Sequence, residues 1–186
     1  MTVPMSDGDR FTNGLIDHLP HLLAFAQMMT RDRVSAEDLV QDTILLALAN
    51  RRQFRPESNL RAWLTVILRN RFFNEMRRSH RRAEIGMDEA GWAEAIEGGQ
   101  EERIVFGEFQ RAFRLLPPEQ REALVLVGAS GFSYPEAAAI AGCPTGTVKS
   151  RVSRAREVLQ HALDDSRPPV SATRAVRPVV ATANRS

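Results

Sequence analysis

The sequence predicts an all-α protein: two small helical domains joined by an acidic linker. Three observations lead there. Apolar residues recur at helical spacing, and no run alternates with the period of two that a half-buried strand requires. A Gly-containing acidic stretch over residues 83–104 separates two periodic halves, 10–82 and 105–163. The length of 186 residues gives each half a modest core, and the 43% hydrophobic share is ordinary for a soluble chain.

Leu15, Leu19, Leu22, Leu23 and Ala26 form the stripe of a first helix. Ser35 followed by Asp38 resembles a capping box, with an acid where Glu is usual, and opens a second helix. Its apolar face uses Leu39, Val40, Ile44, Leu45 and Leu48. Phe54 to Asn59 then breaks the pattern, because Pro56 disfavours helix at the residue before it. A long helix starts near Leu60, with Leu60, Trp63, Leu64, Ile67 and Leu68 on one face. Trp63 reads as core, and Phe73, off that face, is the better candidate for an exposed aromatic.

In the acidic stretch, Gly86, Gly91, Gly98 and Gly99 favour a linker, with room for a short helix around Trp92. Past it, Leu115–Leu116–Pro117–Pro118–Glu119 is a helix stop followed by a Pro-led start. Ser133–Tyr134–Pro135–Glu136 has the spacing of a capping box. Ala137, Ala138, Ala139 and Ala141 keep the following helix slim enough for close packing. Gly142–Cys143–Pro144 is a turn, with Gly142 suited to a left-handed cap and Thr145 placed to cap the last helix. Val148, Val152, Ala155 and Leu159 give that helix one apolar face. Residues 164–186, rich in Pro, Ser, Thr, Ala and Val, cannot bury enough surface to order themselves and read as a disordered tail.

The net charge of +2 is a cancellation. Residues 31–82 carry 12 basic and 6 acidic side chains, and six Arg face only Glu75 within 69–82. Residues 83–104 hold seven acids against Arg103, while 145–156 carry four basic residues and no acid. Of the 25 basic residues 24 are Arg, whose planar donor fork suits phosphates and base edges. A GC-rich coding bias explains that excess equally well for the whole chain, but not its segregation, which points to two polyanion-facing surfaces.

Several classes drop out. No stretch approaches the ~18 apolar residues of a membrane span. The polar N-terminus is unlike a secretory signal, so a cytoplasmic location is expected. A single cysteine, Cys143, rules out an internal disulfide and a Cys-cluster zinc site, and reads as a small packed residue. His18, His21, His80 and His161 show neither metal-ligand spacing nor a nucleophile partner. No catalytic residue, metal or cofactor is expected.

The two helices flanking Gly142 form a helix-turn-helix pattern. An apolar-anchored second helix with Lys149, Ser150, Ser153, Arg154 and Arg156 over the rest of its surface is how a recognition helix meets the major groove. The competing reading is an ordinary surface helix that is basic by chance.

These residues resemble a known family. Leu116–Pro117–Pro118–Glu119–Gln120–Arg121–Glu122–Ala123–Leu124, Gly131–Phe132–Ser133–Tyr134–Pro135–Glu136–Ala137–Ala138 and Gly146–Thr147–Val148–Lys149–Ser150–Arg151 look like the C-terminal promoter-binding domain of extracytoplasmic-function sigma factors. Ala36–Glu37–Asp38–Leu39–Val40–Gln41–Asp42–Thr43 looks like that family's polymerase-binding helix, and the Trp63 helix resembles its DNA-opening element. The match spans residues 10–163 in the family's order. Finer wording, such as Leu126–Val127–Gly128–Ala129, is similar to the alphaproteobacterial general-stress-response subgroup.

The resemblance implies roles. Asp38, Gln41 and Asp42 would bind the clamp coiled coil of RNA polymerase core, whose flap is a second contact. The loop 54–60 and the helix after it would capture a flipped base of the −10 element, with Asn70 in the pocket and Arg69, Arg71, Arg77, Arg78, Arg81 and Arg82 following phosphates. Lys149, Ser150, Arg151, Ser153 and Arg154 would read or grip the −35 element, and small Ser153 leaves sequence preference open. The implied partners are RNA polymerase core, promoter DNA and an anti-sigma factor that wedges between the two domains, with no membrane span. Two other readings stay open: a sigma mimic that sequesters an anti-sigma factor, and an ordinary helix-turn-helix repressor. A mimic of that kind carries a receiver domain, for which about 23 residues after Leu163 are too few. A repressor would not explain the Asp38–Asp42 helix or the Asn70 helix.

Overall fold

The structure, a computed structural model, describes residues 7–84 and 102–165. Helix α1 (Asp7–Thr30) turns back into α2 (Arg33–Ala49), and a 3₁₀ turn (Arg51–Gln53) leads through an extended loop to α3 (Leu60–Glu84). The second half holds α4 (Glu102–Leu115), α5 (Pro118–Leu124), a π-helical turn (Val125–Ala129), α6 (Tyr134–Ala141) and α7 (Thr145–Asp165). No strand occurs among the described residues. The stretch around Trp92 and the tail beyond Asp165 lie outside the described residues.

Local signals set most boundaries. Ser133 Oγ accepts from the Glu136 backbone while Glu136 returns a 2.8 Å bond to the Ser133 N–H, so the capping box of α6 is complete. Gly142 ends that helix at φ +64°, in the left-handed region where a Cβ would be strained. α2 corrects the expectation at Ser35: the cap is Asp32, whose carboxylate accepts from the Ser35 N–H at 2.7 Å, so the helix starts three residues earlier. Thr145 is likewise the first helical residue of α7 and not its cap.

α1, α2 and α3 pack on one another, and α4, α5 and α6 pack around α7. The buried faces follow helical spacing: Leu15, Leu22, Phe25 and Met29 in α1, Leu64, Leu68 and Phe72 in α3, Val148, Val152, Ala155 and Leu159 in α7. Four apolar residues depart from expectation. Leu19, Leu45 and Leu48 are exposed, although they continue the stripes of their helices. Phe73 is buried, its ring against Phe72 and beneath the Arg69 guanidinium, 4.8 Å from the centroid, so it is no exposed stacking platform.

The halves do not sit apart. α3 packs on α6, and α1 meets α5 and the π-helical turn, so one buried apolar cluster runs from Phe11 and Leu22 through to Leu126 and Val152. Arginines stitch this junction from both sides. Arg31 donates to the Arg114 carbonyl at 2.8 Å, Arg61 to the Ser130 carbonyl, and Arg69 Nε to Glu122 Oε1 at 2.5 Å. In the other direction, Arg121 Nη1 donates to the Met29 carbonyl at 2.7 Å.

Candidate nucleic-acid interface

α7 presents its first turns to solvent. Val148, Val152 and Ala155 anchor it from beneath, which leaves Lys149, Ser150, Ser153 and Arg154 exposed on the other faces. Lys149 Nζ stands 5.9 Å from the Tyr134 ring of α6, so the two helices of the motif share a cationic edge. Ser150 donates back to the Thr147 carbonyl at 2.9 Å, and Ser153 donates to Glu157 at 2.9 Å. Arg151 stands apart from the set. It is half-buried, with Nη1 3.8 Å from Cys143 Sγ, and lies toward the turn.

The second basic surface runs along α3. Asn59 Oδ1 accepts from the Ala62 N–H at 3.1 Å and starts the helix, while Phe54 packs on Phe11 and Trp63. That aromatic cluster holds the preceding loop and places Trp63 among core residues, as the sequence suggested. Asn70 is exposed and accepts from Arg69 Nη1 at 3.1 Å. Arg77 and Arg78 are exposed farther along the helix, with Arg77 donating to Asn74 at 2.7 Å and Arg78 3.9 Å from Glu75. Two members of the expected set are engaged elsewhere: Arg69 with Glu122, and Arg71 with Asp42 at 2.8 Å and Glu75 at 3.3 Å.

On α2, Asp38 and Gln41 are exposed and Asp42 is half-buried by its pairing with Arg71. Sequence reasoning missed the neighbours on this face. Val34, Leu45 and Leu48, 65%, 66% and 44% exposed, align with Asp38 and Gln41 at spacings of 4, 3, 4 and 3. The apolar character of Leu45 and Leu48 had placed those two in the core, yet a stripe of this width facing solvent is what a helix offers to another helix. A cleft of about 930 Å³ opens beside it, lined by Asp38, Gln41, Asp42 and, from the second half, Leu115 and Pro117.

At the junction the electrostatics are costly. Burial, and then the nearby Arg31, lower the Arg121 guanidinium to about 10. Burial pushes the Glu122 carboxyl up, against the opposing pull of Arg69. Arg121 Nε, Glu122 Oε2 and Gln120 Oε1 are buried without a hydrogen-bond partner. Among the described residues, no cluster of His, Cys, Asp or Glu could hold a metal ion, and no helix is long and apolar enough to cross a membrane.

Known proteins share this arrangement. Residues 15–82 match Sigma-70 region 2 and residues 106–159 match Sigma-70 region 4. The chain is 47% identical over 163 residues to the ECF RNA polymerase sigma factor EcfG of Rhodopseudomonas palustris, covering 87% of this chain and 88% of that one. It resembles the sigma factor RpoE of Bartonella quintana, solved in complex with the anti-sigma factor NepR, with a TM-score of 0.75 at 45% identity over 85% of this chain and 99% of that one. CnrH, solved in complex with the cytosolic domain of CnrY, superposes with a TM-score of 0.62 at 26% identity over 86% and 91% of the two chains. Two region matches in the order the helices require, with relatives aligned over most of both lengths, settle the family: the chain belongs to the sigma-70 family, as an extracytoplasmic-function RNA polymerase sigma factor.

Proposed function

We propose that this chain directs RNA polymerase core to a set of stress-response promoters and contributes recognition, not chemistry, to initiation. The observation that carries the reading is the acid-free start of α7, residues 145–156, seated on buried Val148 and Val152 with Lys149, Ser150, Ser153 and Arg154 turned outward. These four side chains read or grip the −35 element, with Arg151 as a support for the turn. Asn70, Arg77 and Arg78 on α3, together with Arg69 and Arg71 once released from their partners, take the −10 strand. The α2 stripe around Asp38, Gln41 and Asp42 docks on the clamp coiled coil, and the second half meets the flap. Neither DNA surface is large, so polymerase supplies the affinity by holding both at fixed spacing.

An anti-sigma factor controls the chain, as in the similar complex of RpoE with NepR. It has a largely apolar groove between the halves to enter, about 660 Å³, lined by Met28, Phe109, Phe113, Leu124 and Leu159. The whole arrangement works in the cytoplasm, where polymerase is. Core polymerase reconstituted with this chain, followed by sequencing of transcript starts, tests the reading. The expected result is starts downstream of one shared pair of elements. Starts no different from those of core alone would refute it.

A further inference from the structure

The polar side chains at the start of α7 are held in different ways. Ser150 Oγ donates to the Thr147 carbonyl, Ser153 Oγ to Glu157, and Arg151 lies against Cys143. Lys149 is held from the other helix of the motif: its Nζ stands over the Tyr134 ring of α6, 5.9 Å from the centroid. Among the described residues it pairs with no acid. Two features fix the ring. It is half-buried against the core, and it follows directly on Ser133, the cap of α6. Glu136, the acid of that first turn, receives the Ser133 N–H at 2.8 Å and the Ser133 Oγ at 2.6 Å. Its carboxylate is spent on the cap and does not draw the ammonium away.

We propose that Tyr134 is a positioning residue for −35 recognition: its ring face holds the Lys149 ammonium toward one base edge and so sets discrimination at one base pair of the element. This rests on the reading of Lys149 as a −35 contact. A carboxylate partner would neutralise the ammonium and compete with DNA for its three donors. A ring face attracts the cation and leaves those donors free for the acceptors of a base. Lys149 is also the single lysine beside 24 arginines. Its compact charge sits on a flexible four-carbon stem, which loses rotamer freedom when the ammonium is placed. The ring takes part of that loss before DNA arrives. Without it the stem sweeps onto neighbouring phosphates, which hold a cation as well but carry no sequence information. Discrimination then falls while affinity survives.

The test uses the full chain with core polymerase. The templates are the strongest promoter found by start mapping and copies of it with single substitutions across the −35 element. Tyr134→Leu keeps an apolar side chain against the core and removes the ring; Tyr134→Phe keeps the ring and removes the hydroxyl. Tyr134→Leu is expected to lower discrimination at one position by about three- to fivefold, the strength of an exposed cation–π contact, with Tyr134→Phe close to wild type. In a Lys149→Ala background, Tyr134→Leu should cost nothing further. The single lysine also gives a direct readout by NMR: its ε-methylene signal should lie upfield of free lysine, from the ring current, and return in Tyr134→Leu. A wild-type signal without that shift overturns the proposal, even where Tyr134→Leu fails to fold. Equal losses in Tyr134→Phe and Tyr134→Leu overturn it as well, because the hydroxyl and not the ring face then acts. So does a loss that adds to that of Lys149→Ala. Lost discrimination in Lys149→Ala but not in Tyr134→Leu overturns the positioning alone, whereas no loss in Lys149→Ala overturns the −35 role of Lys149 with it.

Discussion

Arg71 of α3 clasps Asp42 of α2, with Nη2 and Nε both 2.8 Å from the same carboxylate oxygen. The pair joins the helix proposed to meet DNA with the helix proposed to meet polymerase, and each residue is partly spent on the other. Asp38 and Gln41 are exposed and make no such bond across to α3. Asp38→Ala and Gln41→Ala are therefore expected to weaken binding of core polymerase by about tenfold each, in the range of a well-placed interface residue. Asp42→Ala should weaken it by less than about threefold and destabilise the fold by no more than about 1 kcal/mol, since a partly exposed pair contributes little. Titration of labelled core with each variant, beside a urea melt, checks the order.

In α7 the exposed side chains divide by what already holds them. Among the described residues, Lys149 and Arg154 make no hydrogen bond to an acid, whereas Ser153 is bonded to Glu157. Lys149→Ala and Arg154→Ala should each cost about 1–3 kcal/mol of −35 binding, and Ser153→Ala far less. Transcription from one promoter and from its −35 mutant separates base reading from phosphate gripping. A residue that reads a base loses discrimination between the two templates, and a phosphate contact weakens both alike.

How much of this was legible in the sequence follows from what each signal depends on. The Ser133–Glu136 capping box, the Gly142 turn and the Val148–Leu159 face are local, and all three stand where spacing placed them. The cap of α2 was misplaced because Asp32 and Ser35 both offer a capping oxygen, and only the backbone geometry decides between them. Leu45, Leu48 and Phe73 were misread for one reason. A helix with more than one apolar stripe does not say which stripe meets its own core and which meets a partner. The arginines at the junction were illegible for the opposite reason: Arg61, Arg69 and Arg121 pair with residues 53 to 92 positions away, mostly with carbonyls, which carry no sequence signature.

Acid should loosen both capped helix starts. The Ser35 N–H bond holds the Asp32 carboxyl below its ordinary value, and bonds from Ser133 do the same for Glu136. In each case the unfolded chain binds protons more readily, so the contribution is complete above the ordinary carboxylate values of 3.8 and 4.5 and is lost as pH falls through the lower folded values. The melting temperature of the wild-type chain should fall over that interval. Asp32→Asn and Glu136→Gln should melt lower near neutrality and show a shallower drop in acid, which a series of thermal melts by circular dichroism would reveal.

Arg121 bonds to the ends of two helices at once. Its guanidinium donates to the Met29 carbonyl at 2.7 Å and the Leu116 carbonyl at 3.0 Å, at the C-terminal ends of α1 and α4. Carbonyls at a helix end have no partner in their own helix and carry the negative end of its dipole, so a cation there satisfies both. Burying that cation opposes the gain, as its lowered value shows. Arg121→Met keeps much of the apolar stem and removes the charge, leaving two carbonyls without a donor. If the bonds outweigh the desolvation, the variant is less stable by about 2 kcal/mol, within the cost of stranding buried acceptors. Each lost bond acts at a different site, one across the junction and one inside the second half. Hydrogen exchange at the last turn of α1 should therefore rise together with that of α4, and protection unchanged at Met29 would mean that Arg121 serves its own half alone.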